Sequence, residues 1–244
     1  AARKLGTRLR WQQNRSDGFL SDLHGRDNRT KARAVVDADG KVHALQVTVH
    51  ANMGSWLSNF STFIPTQSGS RTLTTVYAIP TASLRVFGIM TNTPAVDAYR
   101  GAGRPEANYV MERLMDMLAD KMGIDRVEIR RRNMITSDLM PFSMVCGGTI
   151  DDGEIPELMN AALDHADYDG FEARKADSES CGMLRGFGVG MYLEVCGGGG
   201  DGGVKVSFRD DGTILVLASQ QENGQGHRTT LTQILSDRLG SVSY

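Results

Sequence analysis

The sequence is poor in cysteine and carries no excess of positive charge, and each shortage excludes a class of function. Its three cysteines, Cys146, Cys181 and Cys196, lie far apart with no C-x-x-C pair, so spacing offers neither a disulfide framework nor a zinc site. They read as ordinary reduced, partly buried thiols. Lys plus Arg number 27 against 29 Asp plus Glu, a formal net charge of -2 that gives no basic field to attract a phosphate backbone. Nucleic acid is therefore not an expected partner. No apolar run approaches the roughly 20 residues of a membrane-spanning helix, and the first residues lack the apolar stretch of a secretory signal. The expectation is a cytoplasmic chain without membrane contact. No internal repeat of fixed period is visible.

What remains is a globular composition: 244 residues, 40% hydrophobic and 23% charged, enough for one large domain or two small ones. Both ends read as cut. Ala1-Ala2-Arg3-Lys4-Leu5-Gly6 resembles the last turn of a helix closed by glycine. Ser241-Val242-Ser243-Tyr244 begins a strand-like segment that stops.

Between the ends, hydrophobic periodicity changes several times. Leu45, Val47, Val49 and Ala51 alternate with polar residues, and Asp39-Gly40 supplies a turn, so residues 31 to 52 predict a β-hairpin. Pro105 suits a first helical position, and Ala107, Val110, Met111, Leu114, Met117 and Leu118 follow at three- and four-residue steps until Gly123. Asp125 can cap a second helix ending in Arg130, Arg131 and Arg132, a basic last turn expected to be solvated. Residues 151 to 168 predict a helix with Leu158, Ala161, Ala162 and His165 on or near one face; His165 reads as a helix-end residue rather than a metal ligand. The charged stretch Glu172 to Ser180 offers no apolar face and is expected to be a linker. A second unit then opens with a glycine-punctuated strand, Gly186 to Leu193. Gly197 to Gly203 reads as a flexible loop. Val204 to Phe208 and Ile214 to Ala218, around Asp210-Asp211-Gly212, predict a second hairpin. Leu231, Ile234, Leu235 and Leu239 mark a helical face closed by Gly240.

Two stretches could carry chemistry. In Ala98-Tyr99-Arg100-Gly101-Ala102-Gly103-Arg104-Pro105-Glu106, glycines on both sides of Ala102 permit a sharp turn and close approach to a bulky group, and the helix start behind them offers N–H groups to an anion. A tight turn carrying two solvated arginines would have the same composition. Gln221-Glu222-Asn223-Gly224-Gln225-Gly226-His227-Arg228-Thr229 lies between a predicted strand and helix, a placement that presents backbone donors to a phosphate or a polar cofactor edge. It has neither the G-x-x-x-x-G-K-[ST] nor the G-x-G-x-x-G spacing, which leaves a nucleotide site weakly supported.

Taken in order, these segments resemble the large, molybdenum-carrying subunit of the xanthine dehydrogenase, aldehyde oxidase and carbon monoxide dehydrogenase family. The resemblance covers essentially the whole chain. It is carried by Arg10-Trp11 with Arg15-Ser16-Asp17 and His24-Gly25-Arg26-Asp27, similar to a strand segment of that family. It continues in Thr91-Asn92-Thr93-Pro94 leading to the Ala98–Glu106 loop, in Glu112-Arg113 through Gly123-Ile124-Asp125 to Arg131-Arg132-Asn133, and in Gly224-Gln225-Gly226-His227 with Thr229 and Gln233.

The resemblance implies an α+β fold incomplete at both ends, with residues 1–177 from a first molybdopterin-binding domain and 178–244 opening a second. It implies a molybdenum-pterin cofactor, with a cytosine dinucleotide form as a variant, whose own sulfurs hold the metal. Arg100 and Gly101 would approach that cofactor through the backbone, and Gly224, Gln225 and Gly226 would contact the pterin or its phosphate side. Ala102, Met191, Tyr192 and Glu194 would line the substrate pocket. The implied activity is oxidative hydroxylation of a small-molecule substrate with water-derived oxygen, electrons leaving to iron–sulfur clusters and FAD on partner subunits or domains. The family's glutamate base has no matching position here, so no catalytic residue and no side-chain metal ligand is expected within the chain. The loop lacks the cysteine with which carbon monoxide dehydrogenases hold copper, and Ala102 stands where xanthine enzymes place a phenylalanine. A roomier pocket for aldehydes or N-heteroaromatic rings follows. The alternatives are a non-redox phosphate- or nucleotide-binding module, or an inactive truncated piece.

Overall fold

Alternation along residues 28–54 builds the sheet on which everything near the candidate site rests. In the computed structural model, which describes residues 1–195, 202–220, 222 and 224–240, two short helices, α1 (Ala2–Leu5) and α2 (Arg15–Ser21), precede strand β1 (Asn28–Val36). β1 pairs antiparallel with β2 (Val42–Gly54) around a turn in which the Asp37 carboxylate accepts from the amides of Asp39 (3.0 Å) and Lys41 (2.9 Å). β3 (Ala82–Met90) joins β2 in parallel, giving the order β1-β2-β3. Parallel pairing requires a crossover. It holds a π-helical turn, Ile64–Ser68, and a single helical turn, α3 (Gly69–Arg71).

Helices α4 (Arg104–Met122) and α5 (Arg126–Asn133) cover one face of this sheet. Ala32, Val47 and Leu84, one residue from each strand at the same level, meet Met111, Met115, Val127 and Ile129 from the helices. Asn133 ties α5 to the first hairpin, accepting from the Val42 amide (2.8 Å) and donating to the Gly40 carbonyl (2.8 Å). A small β4 (Phe142–Ser143) and β5 (Thr149–Ile150) pair and helices α6 (Ile155–His165) and α7 (Phe171–Ser180) follow. The chain divides into two compact units, Ala1–Glu194 and Val195–Tyr244. In the second, β6 (Val204–Phe208) and β7 (Ile214–Ala218) form the expected hairpin, followed by α8 (His227–Leu239). None of its described residues is buried.

Both hairpins, the α4 helix, the Asp125 cap and the α+β class stand as expected, and several local expectations do not: Arg15-Ser16-Asp17, likened to part of a strand segment, opens helix α2. Arg130 is not solvated: it is 0% exposed, its Nε donating to Glu112 (2.8 Å) and its Nη2 to Asp116 (2.9 Å), while Tyr77 donates to the other Glu112 oxygen (2.6 Å). Burial and the adjoining Glu112 carboxylate hold the Tyr77 hydroxyl far above its ordinary range, so it stays a donor. The 172–180 stretch is helical. Its half-buried positions, Phe171, Arg174, Lys175 and Ser178, fall at helical spacing, so a face exists although only one member is apolar. In α6 the buried residues are Met159 and Leu163, not the alanine-rich face, because larger side chains gain more from burial. Gly186–Leu193 alternates in burial like a strand yet forms no ladder among the described residues: Phe187, Val189, Met191 and Leu193 turn toward the core.

Cys146 is half-buried, its thiol pushed up by burial, and Cys181 is exposed rather than partly buried. The expectations for Cys196, Gly197–Asp201, Gln221, Asn223 and 241–244 fall outside the described residues. No helix among the described residues is long and apolar enough to cross a membrane. Breaking a buried ion pair from one side leaves an unpaired buried charge, so Arg130→Ala should cost about 3–5 kcal/mol in urea unfolding; a loss under about 1 kcal/mol would contradict this account of the α4–α5 junction.

Candidate functional site

The bend before α4 is left-handed at three consecutive residues, with φ of 98° at Gly101, 42° at Ala102 and 93° at Gly103. Two glycines relieve most of that strain, whereas Ala102 holds a conformation that L side chains rarely adopt. The Ala102 amide donates to the Tyr99 carbonyl (2.7 Å) and the Arg104 amide to that of Gly101 (3.2 Å), closing the turn. Packing makes both glycines necessary. A Cβ on Gly103 would stand 2.7 Å from the Gly69 amide nitrogen and the Ile64 carbonyl oxygen, and one on Gly101 would stand 2.6 Å from the Pro105 ring. The bend is thus seated directly on the crossover turn of the sheet.

Residues distant in sequence hold it there. Arg26 donates to the Arg100 carbonyl and lies over the Tyr99 ring, 4.6 Å from its centroid. Gly25 lets the chains approach, since a Cβ would fall 2.7 Å from that of Tyr99. The His24 carbonyl accepts from the Asp97 amide (2.9 Å). Beneath them Asn52 donates to Asp27 (2.7 Å) and Thr93 (2.9 Å) and accepts from Thr91 (2.7 Å) and the Gly54 amide (2.8 Å). Ser58 bonds the buried Asp97. On the other side, the Arg104 guanidinium donates to the Gly101 carbonyl (3.1 Å) and pairs with Glu194 (2.9 Å).

Of the expected site residues in the first unit, Arg100, Gly101 and Ala102 form the bend and Glu194 is joined to it through Arg104. Met191 is 7% exposed in the hydrophobic core, and Tyr192, next in the alternation, is 73% exposed. Asn52 and Asp97 escaped sequence reasoning, because a polar residue at the end of a strand and an acid in a loop carry no periodic signal. Arg26 lies in the His24-Gly25-Arg26-Asp27 segment, but its bond to Arg100, 74 residues on, has no local signal.

In the second unit, Gly224 (φ 95°) and Gly226 (φ 77°) curve the chain into the start of α8. The Glu222 carboxylate accepts from the amides of Gly224 (2.9 Å), Gly226 (3.1 Å) and His227 (2.7 Å). Desolvation raises its pKa, but those three donors outweigh it and hold the carboxyl below its ordinary value of 4.5. Glu222 occupies the place an external anion or acceptor edge would take, so this donor set suits such a group. In the first unit, the Gly101–Gly103 cradle suits the close approach of a bulky group to the main chain. Among the described residues no three His, Cys, Asp or Glu side chains could together hold a metal ion.

Family models of the molybdopterin cofactor-binding domain match residues 1–134 and 161–244. The chain is 27% identical to the nicotine 6-hydroxylase large subunit of Paenarthrobacter nicotinovorans, covering 98% of this chain and 31% of that one. It is 31% identical to the carbon monoxide dehydrogenase large chain of Hydrogenophaga pseudoflava, covering 98% and 32%. Its fold matches quinoline 2-oxidoreductase from Pseudomonas putida 86 with a TM-score of 0.88 at 28% identity, over 98% of this chain and 32% of that one. The chain thus spans about a third of the length of these two curated relatives.

Gly103→Ala should cost about 1–3 kcal/mol through strain and displacement of the Ile64–Gly69 turn, read as a lowered midpoint in thermal unfolding; an unchanged midpoint would show that the bend is not pinned there. Glu222 has a depressed folded pKa, so its support of the α8 start is complete above 4.5 and disappears as pH falls through its folded value. Protection of the Gly226 and His227 amides, measured relative to their intrinsic exchange rates, should fall on acidification below pH 4.5 in the parent protein, and Glu222→Gln should show reduced protection already at neutral pH.

Proposed function

Because the chain belongs to the family of molybdopterin-binding subunits shared by xanthine dehydrogenases, aldehyde oxidases and carbon monoxide dehydrogenases, we propose that its parent is a molybdenum hydroxylase acting on an aldehyde or an N-heteroaromatic ring. We place residues 1–177 in its first molybdopterin-binding domain and 178–244 at the opening of its second; two separate family-model matches support a division into two such domains, the second match beginning at residue 161. The observation that carries the reading is the left-handed Gly101–Gly103 arc, a stretch of backbone built for close approach. The names of two relatives, a nicotine hydroxylase and a quinoline oxidoreductase, favour a nitrogen heterocycle.

In this reading Arg100 and Gly101 bring main-chain atoms against the pterin, and Gly224, Gln225 and Gly226 hold its polar or phosphate side, with a cytosine dinucleotide extension as the finer possibility. When bound, the molybdenum-pterin supplies a two-electron redox centre. The chain itself binds and orients. Ala102 faces the substrate, where its small side chain leaves room for a ring, with Tyr192 and Glu194 beside it and Met191 behind them in the core. Arg104 positions both parts, one group of its guanidinium on the bend and another on Glu194.

No proton acceptor is assigned. Glu194 is paired with Arg104 and Glu222 accepts from three backbone amides, structural roles for both, and the family resemblance gives neither the role of general base. That group lies elsewhere in the parent, as do the iron–sulfur and FAD partners that accept the electrons. The Glu222-filled donor set is also what a non-redox phosphate-binding module would use, and this is the second reading.

The two are separated by producing the parent with its partners in a host that makes molybdopterin. We expect molybdenum and pterin in equimolar amounts with the chain, and product labelled with heavy oxygen when substrate turns over in labelled water. A protein that carries phosphate but neither molybdenum nor pterin would overturn the proposal.

A further inference from the structure

The alternation that buries one face of the β1-β2-β3 sheet also determines what its other face presents. The pairing registers place Arg29, His50 and Phe87 in one row, Lys31, Thr48 and Arg85 in the next, and Arg33, Gln46 and Ser83 in a third. Four of these nine residues are cations and none is an acid. All except Thr48 are exposed. Among the described residues, none of Arg29, Lys31, Arg33 and Arg85 forms an ion pair. The flanking carboxylates are engaged elsewhere: Asp27 with Asn52 and Asp37 with His43 (2.7 Å). Rows and columns of a sheet are about 6.8 and 4.8 Å apart, within the Debye length of physiological salt, so these charges repel one another without local relief. A chain of net charge -2 therefore concentrates uncompensated positive charge on one face.

That face is not purely polar. The His50 ring stacks on Phe87 with centroids 5.2 Å apart, Phe87 is 48% exposed, and Val35 and Ile89 extend the same outward alternation. Aromatic and aliphatic surface among unpaired cations suits an acidic protein surface, whose carboxylates meet the arginines and whose apolar side chains cover the ring. A phosphate polymer would use the charge and leave the apolar strip wet.

We propose that the solvent face of this sheet is a docking surface for a carboxylate-rich protein surface on a separate polypeptide. The inference does not rest on the proposed chemistry and survives if the parent carries no molybdenum. Its test uses the parent isolated with its co-purifying subunits and a carbodiimide reagent, which joins amines to carboxylates only in direct contact, with the joined peptides identified by mass spectrometry. Lys31 should be joined to an Asp or Glu of another subunit. The double variant Arg29→Glu with Arg33→Glu, both solvent-facing and so expected to fold, should lose that product and weaken association by roughly tenfold or more, with wild-type association falling as salt rises. Joining of Lys31 to the parent's own chain, no joining at all, or unaltered association of the double variant would overturn the proposal. So would a double variant whose sole defect is loss of heparin binding, which would point to a phosphate or sulfate polymer.

Discussion

Two backbones in contact at Gly69 and Gly103 are the constraint on which the candidate site depends. At that point the start of α4 touches the crossover that makes β2 and β3 parallel, with no space for a side chain between them. The left-handed arc of residues 101–103 is the consequence: a chain leaving the sheet edge near Asp97 must reverse over the Ile64–Gly69 turn within a few residues to enter the helix. Glycine is the residue that tolerates both the reversal and the contact.

Polar groups then lock the arc without crowding it. Arg26 holds the Arg100 carbonyl from one side, and Arg104 holds the Gly101 carbonyl from the other. Asn52 joins the supporting strands through four hydrogen bonds to neighbouring groups. Further back, Glu112, Asp116, Tyr77 and Arg130 pin α5 to α4 in a buried network whose members satisfy one another. The site is therefore assembled from segments around residues 24–27, 52–54, 64–69, 91–106 and 194, and its rigidity belongs to tertiary packing rather than to any one loop.

Much of the fold was legible because its signals are periodic. Alternation at Leu45 to Ala51 and the three- and four-residue steps from Ala107 each exceed what a loop would show, and both elements stand where expected. Arg130 was illegible for the opposite reason. Three arginines ending a helix resemble a solvated terminus, and nothing local marks the one whose partner lies 18 residues earlier at Glu112. Helix α7 was hidden because its inward face is built from Phe171, Arg174, Lys175 and Ser178, whose stems and single ring do the packing. Gly186 to Leu193 shows the limit of pattern: period-two burial is present, but strand identity depends on a hydrogen-bonding neighbour that sequence does not reveal. At the site, the glycine-flanked bend was visible as composition. Its contacts with Arg26, Asn52 and Glu194 were not, since they join positions dozens of residues apart.

In the proposed function the Arg100–Gly103 bend holds a pterin through its backbone. A crystal structure of the cofactor-loaded parent tests it most directly. Main-chain atoms of Arg100–Gly103 should stand in van der Waals or hydrogen-bonding contact with the pterin. A bend facing away from the pterin, with its backbone exposed to solvent or packed against protein alone, would refute that role.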